Sequence, residues 1–291
     1  MAAMPDRDVY NVIRGKVELP VMPMVATKIV EECENPDVTA SDLGRIIADD
    51  IALTGRLLNL ANSAAYRRRM PVETVEAAVV RVGFSNIKEM ALALSTRALF
   101  NEYDQYQREL WEHSMATALA AQTIADLCGS KVSGFVSGLM HDMGQLVLAS
   151  CFPDRFAKAV EATLSGEVSQ MDAERSEFGF SHAEVGSYLA NSWGIESSTV
   201  ECILGHHDYA ANSGVTKHVR ELTTVVSLAD EVVQELGIDL GMYPEPVDDP
   251  SIYMSLSRCR EAKELALNQA QIENALDIVW NLFDEERGLF E

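Results

Sequence analysis

The chain has 291 residues, of which 47% are hydrophobic, enough to fill the core of one large domain or two modest ones. Its formal net charge of −22 opposes generic nucleic-acid binding, which needs a basic surface. No run approaches the ~18 apolar residues of a membrane span, the start MAAMPDRDVY lacks the shape of a secretory signal, and Cys33, Cys128, Cys151, Cys202 and Cys259 are scattered without a CxxC pair, which suits reduced thiols in the cytoplasm.

Helical periodicity dominates and strand alternation is scarce, so the expected fold is all-α. Residues 23–100 hold several short to medium helices, with apolar positions at Ile46, Ile47, Leu53, Leu57, Leu58 and Leu60, until Pro71 breaks the run. Asn59, Asn62 and Ser63 read as polar groups that cap or hydrogen-bond a helix end, the alternative being a docking or switch surface. Arg67-Arg68-Arg69, the basic run, reads as a solvated loop. A connection near 101–105 leads into a helix carrying His113. Glu109 lies four residues earlier on the same face and is expected to be exposed or to support His113.

From Val132 to Ser150 the apolar residues fit one amphipathic helix. Gly134, Gly138, His141 and Gln145 share another face, where the glycines admit a close neighbour and His141 points into the contact. Asp142 diverges from His141 by about 100°, an arrangement suited to straddling two ions. Ser181-His182-Ala183-Glu184 reads as a capping box, putting His182 in a first turn whose dipole favours neutral imidazole. Ser198-Thr199-Val200-Glu201 could be a second box, starting a helix that runs to His206-His207 with His207 on the face of Val200 and Ile203. Asp230 falls between Val226 and Val233, at the edge of an apolar stripe. Buried there, it needs a cation, a donor or water. Turned outward, it would leave Leu228 and Val232 to the core. The prolines and acids of residues 242–250 mark a linker, followed by a helical tail to Glu291. That tail either packs on the domain or mediates self-association, as in a homodimer.

Five of the six histidines thus form an ordered series with two aspartates: His113, His141-Asp142, His182, His206-His207 and Asp230. Imidazole and carboxylate together suit a transition metal, iron or manganese before zinc or nickel. Seven groups exceed what one zinc requires and are enough for two divalent ions.

The same order resembles the HD superfamily of metal-dependent phosphohydrolases. LPVMPMVATKI, DDIALTGRLLNLANSAAY and PVETVEAAVVRVGFSNIKEMAL are similar to the first part of an HDOD domain, and LWEHSMATALAAQTIA, GLMHDMGQLVLA and HAEVGSYLANSWGIESSTVECILGHH to its second part. The resemblance covers residues 15 to 236 and implies a helical N-terminal part over 15–105, an HD-like metal part over 106–240 and, beyond it, the tail over 250–291. It also implies a signal-transduction output role in bacteria. The seven residues match the ligand set of the related HD-GYP cyclic-di-GMP phosphodiesterases, with His141 and Asp142 central to any catalysis. Gln145 stands where those proteins carry lysine, and Phe178-Gly179-Phe180 is the nearest approach to their GYP tripeptide. Glutamine supplies no positive charge, so a developing phosphate charge loses a stabiliser and Gln145 is at most a weakened phosphate contact.

The expected function is therefore signalling by binding a protein partner, with a retained metal site. The alternative is a metal-dependent phosphohydrolase acting on a phosphorylated small molecule such as a cyclic nucleotide. Neither nucleic acid nor membrane is an expected partner. No receiver-like α/β segment or other sensor pattern is visible in this sequence, so the expected input is a partner, a ligand or the metal.

Overall fold

The protein is described by a computed structural model over residues 13, 15, 19–33, 35, 37–62, 71–84, 87, 96–97, 99–101, 104–132, 134–166, 168–207, 214–238 and 259–290. Ser63, Arg67 to Arg69 and the 242–250 linker lie outside them. The described residues form helices and no strand. They divide into two compact units, Val21–Phe100 with Asp284–Glu291, and Met1–Pro20 with Asn101–Phe283.

The first unit contains α1 (Met24–Cys33), α2 (Ala40–Ala48), α3 (Ile51–Asn62) and α4 (Val75–Val82). Thr39 and Asp42 cap α2 reciprocally, and Thr74 Oγ1 accepts from the Ala77 amide to start α4. Leu43, Ile47, Leu53, Leu57, Ala78 and Val79 form its interior. Asn62 acts as a backbone mimic: its Nδ2 donates to the Val72 carbonyl at 2.9 Å while its Oδ1 accepts from the Val72 amide at 2.8 Å. The end of α3 is thereby tied to the segment entering α4, the structural role expected of this polar stretch.

The second unit contains α5 (Gln105–Leu127), α6 (Phe135–Met140), α7 (Met143–Cys151), α8 (Pro153–Leu164), α9 (Gln170–Phe178), α10 (His182–Ser192), α11 (Ser197–Gly205), α12 (Lys217–Glu235), α13 (Arg260–Glu264) and, up to Phe283, α14 (Gln269–Phe290). Long α5 packs along α12 and crosses α6, while α10 lies against α7 and α11. The tail does pack: Ile272, Leu276, Val279 and Phe283 join Ile124, Val225, Val226 and Val233 in one core.

The segment expected as one helix from 132 to 150 is two. It breaks at His141-Asp142, where Asp142 adopts φ −104°, ψ 7°. The two pieces pack on different helices. A β-carbon at Gly138 would lie 2.7 Å from the Thr117 carbonyl oxygen, and one at Gly134 2.9 Å from Ala121, so α6 meets α5 backbone to backbone. Gly144 makes an even closer approach to His182 and Gly186 on α10. The turn between the pieces redirects the chain from one neighbour to the other, and it carries His141 and Asp142.

Candidate metal centre

Four of the site histidines are fixed through Nδ1. Asp104 caps α5, accepting from the Gln107 amide at 3.0 Å. This sets the helix two turns before His113, whose Nδ1 reaches the Ile238 carbonyl at 3.0 Å. His141 Nδ1 reaches the Gly138 carbonyl and His206 Nδ1 the Ile203 carbonyl, each at 2.7 Å. His182 Nδ1 lies 2.7 Å from Glu174 Oε2. A carbonyl or carboxylate only accepts, so Nδ1 is the protonated nitrogen in all four rings. In a neutral ring the lone pair then sits on Nε2, and these four Nε2 atoms converge. This is the second sphere that holds metal-binding imidazoles in one tautomer.

They converge on Asp142, which is 5% exposed. Its Oδ2 lies 3.3 Å from His141 Nε2 and 3.7 Å from His113 Nε2. Its Oδ1 lies 3.2 Å from His182 Nε2 and 3.5 Å from His206 Nε2. Two groups result, His113, His141 and Asp142, and Asp142, His182, His206 and His207, each with ligand-type atoms within 4.8 Å of one another. Asp230 joins the first, its Oδ1 3.2 Å from His113 Nε2 and steadied by Gln234 Nε2 at 2.9 Å. It points inward, although Leu228 and Val232 are buried as well, because α12 is enclosed on most sides at this level. Glu109 stays apart, half-buried and bonded to Gln105 Nε2 at 2.8 Å.

The set fits a cation on two counts. Asp142 Oδ1 and His206 Nε2 are buried and have no well-aligned hydrogen-bond partner, a costly state for a carboxylate oxygen and an imidazole lone pair. Moreover, Nε2 atoms face each other at 3.0 Å between His182 and His207 and at 3.3 Å between His113 and His141. Opposed lone pairs need a proton or a metal ion between them.

The electrostatics follow from that crowding. Burial alone would lower the pKa of His113, but its bond to Asp230, with Asp142 nearby, raises it to about 9. His182 is likewise lowered by burial and then raised to about 10 by Glu174 and Asp142. The helix-dipole expectation of a neutral His182 is therefore outweighed in the ion-free state. His206, without such a carboxylate of its own, is lowered by burial. Burial opposes ionisation of Asp142 and Asp230, yet the facing histidines hold both below the usual carboxylate range.

Two sequence expectations are corrected at His206-His207. The box at Ser198 to Glu201 does not form; α11 starts two residues earlier, after Glu196, without a side-chain cap. Its inner face is Ser198, Thr199, Cys202, Ile203 and then His206, with Ser137 Oγ donating to Thr199 Oγ1 at 3.1 Å. His206 is therefore buried and His207 exposed, the reverse of a face projected from Val200 and Ile203. The helix ends at Gly205, and Ser227 Oγ on α12 donates to the His206 carbonyl at 2.6 Å. The box at Ser181 does form, Glu184 Oε2 accepting from the Ser181 amide at 2.7 Å.

Two further residues had no place in the expected site. Glu174 is fully buried and takes both the amide of His182, at 2.7 Å, and its Nδ1. Its spacing of four from Phe178 was a signal that it shares that residue's buried face. Tyr106, seven residues before His113 and so on the same helical face, donates from its hydroxyl to Gln145 Oε1 at 2.5 Å. Gln145 Nε2 in turn donates to Asp142 Oδ2 at 2.7 Å.

Comparison with known proteins agrees with this architecture. A solved HDOD domain protein from Geobacter sulfurreducens superposes with a TM-score of 0.78 at 24% identity, over 98% of this chain and 99% of that chain. A protein from Shewanella amazonensis SB2B, provisionally described as a phosphohydrolase, superposes with a TM-score of 0.75 at 20% identity, over 96% of this chain and 98% of that chain. An uncharacterized protein of Treponema pallidum (strain Nichols) is 28% identical over 196 residues, 66% of this chain but 38% of that relative, so the chain spans well under half its length. The HDOD domain pattern itself fits residues 19–209, from before α1 to the paired histidines after α11, and the chain belongs to the HDOD domain family.

Proposed function

We propose that this HDOD protein is a cytoplasmic signal-transduction component that acts by binding a protein partner, and that it carries one or two divalent transition-metal ions on His113, His141, Asp142, His182, His206, His207 and Asp230. The observation that carries the metal reading is the orphaned pair of buried atoms, Asp142 Oδ1 and His206 Nε2, among lone pairs fixed by Nδ1 contacts. Mixed nitrogen and oxygen ligands favour iron or manganese. Among the described residues Cys128, Cys151, Cys202 and Cys259 are free thiols, which accords with a reducing compartment. No helix among the described residues is long and apolar enough to cross a membrane.

Binding is favoured over turnover by the state of Gln145. The residue is neutral, buried and already committed to Asp142 and Tyr106. It offers no charge to a phosphate, and loss of one such stabiliser costs about 10²–10³ in rate. The second reading, a phosphohydrolase, is supported by the exposure of His207, which gives solvent and a small phosphorylated ligand a way to the second group. Metal-bound water there would supply the hydroxide.

Elemental analysis of protein purified and reconstituted without oxygen tests the metal reading: wild type carries iron or manganese and Asp142→Ala does not. A wild type free of metal overturns it. Assay of the loaded protein on cyclic dinucleotides and phosphomonoesters separates the two functions. Brisk hydrolysis abolished in Asp142→Ala would make the protein an enzyme.

A further inference from the structure

We propose that Tyr106 and Gln145 are positioning residues that fix the rotation of the Asp142 carboxylate, so that its Oδ1 is held toward His182 and His206; the proposal rests on the metal reading above.

An amide side chain has two unlike ends, and its neighbours decide which way it faces. Ionised Asp142 can only accept, so Gln145 must turn its NH₂ toward Oδ2, where the distance is 2.7 Å. Gln145 Oε1 then faces the other way and needs a donor. The Tyr106 hydroxyl supplies it at 2.5 Å. The phenol is itself held in place, its ring edge-on to Phe156 with centroids 5.2 Å apart. The chain of bonds therefore runs one way, from hydroxyl to amide to carboxylate. Rotating Asp142 breaks its bond to Gln145 and strands the amide in the interior, at about 1–3 kcal/mol for each unsatisfied group. With Oδ2 pinned, Oδ1 stays 3.2 Å from His182 Nε2 and 3.5 Å from His206 Nε2.

Two consequences distinguish this arrangement from simple core packing. Both polar atoms of Gln145 are engaged, its oxygen by Tyr106 and its nitrogen by Asp142. Tyr106 acts only through Gln145, since the hydroxyl meets the amide and the amide meets the carboxylate.

The test is a double-mutant cycle read as affinity for Mn²⁺, with wild type, Tyr106→Phe, Gln145→Met and the double variant titrated under identical conditions. Both substitutions keep side-chain volume, and circular dichroism checks the helical content. Removing an outer partner of a metal ligand costs about 10–100-fold in affinity. Gln145→Met is expected to fall in that range and Tyr106→Phe near its lower end. The double variant is expected to equal Gln145→Met, because Tyr106 has nothing left to orient. A role in packing alone would lower the unfolding temperature of the ion-free protein and leave affinity unchanged. Unchanged affinity in Tyr106→Phe, or losses that multiply in the double variant, overturns the proposal. A wild type that binds no Mn²⁺ removes the metal reading and this proposal with it. Should Gln145→Met fail to fold, Tyr106→Phe decides alone, since it deletes one hydroxyl from a ring that remains packed.

Discussion

The backbone of Gly144 presses against that of His182 so closely that a β-carbon at 144 would overlap the His182 carbonyl oxygen. The obstacle is backbone, which cannot swing aside as a flexible side chain can. Overpacking of this kind costs about 1–3 kcal/mol, occasionally more. Gly144→Ala is therefore expected to lower the unfolding temperature by several degrees or to abolish soluble expression. Gly214→Ala, with open space around its β-carbon, is expected to behave as wild type. Thermal unfolding of the two variants side by side checks this, and equal stability would contradict the close approach.

The two ligand groups share Asp142 but not His207. Asp142→Ala should lose metal from both, while His207→Ala should lose it from one. If wild type holds two ions per chain, the expected stoichiometries are near zero for Asp142→Ala and near one for His207→Ala. Elemental analysis after dialysis reads them. Equal loss in both variants would mean that the groups do not act as separate positions.

Glu174 should matter as much as a direct ligand does to the state of His182. Glu174→Gln keeps an acceptor but removes the charge that, with Asp142, raises His182 to about 10. Its imidazole should titrate well below that value in the ion-free variant, and metal affinity should fall about 10–100-fold. Histidine NMR titration and a parallel metal titration check the two effects. Retained wild-type affinity would limit Glu174 to capping the start of α10.

Raised histidine values fix the sign of two pH dependences. His113 and His182 sit at about 9 and 10 in the folded, ion-free protein, against an ordinary 6.5. Their stabilisation is fully present below about pH 6.5 and is lost as pH rises through 9 and then 10. Metal affinity moves the other way, because binding must displace those protons. Denaturant midpoints of ion-free protein should therefore fall between pH 7 and 10 while affinity climbs, with proton release on binding measurable by calorimetry in two buffers. In Glu174→Gln the decline should start at the same pH but be smaller and finish at lower pH. Affinity independent of pH would contradict the protonated resting state.

How much of this was legible beforehand depended on what each residue's burial required. The order and type of His113, His141, Asp142, His182, His206, His207 and Asp230 were readable because each lies within or at the end of a segment with clear helical periodicity. The break at His141-Asp142 was not, since Met143, Leu146 and Val147 continue the apolar phase of Leu139 across it and the cause lies in separate neighbours. The inward turn of His206 was missed because Ser198 and Thr199 are polar yet buried, their face being chosen by the contact with Ser137. Glu174 and Tyr106 escaped notice because a lone acid or phenol on a helix reads as exposed until its partner, eight or 39 residues away, is seen.

Asp142 lends one oxygen to each group, so neither can be occupied, emptied or chemically altered without changing the electrostatic field and the freedom of the other. By thermodynamic reciprocity, whatever factor an event at the exposed His207 side imposes on the enclosed His113 side is returned unchanged in the opposite direction. α12 carries Asp230 at one group and, through Ser227, holds the His206 carbonyl at the other. α12, which packs on α5 and α13, is thus the one described helix that touches both groups while lying in the main core.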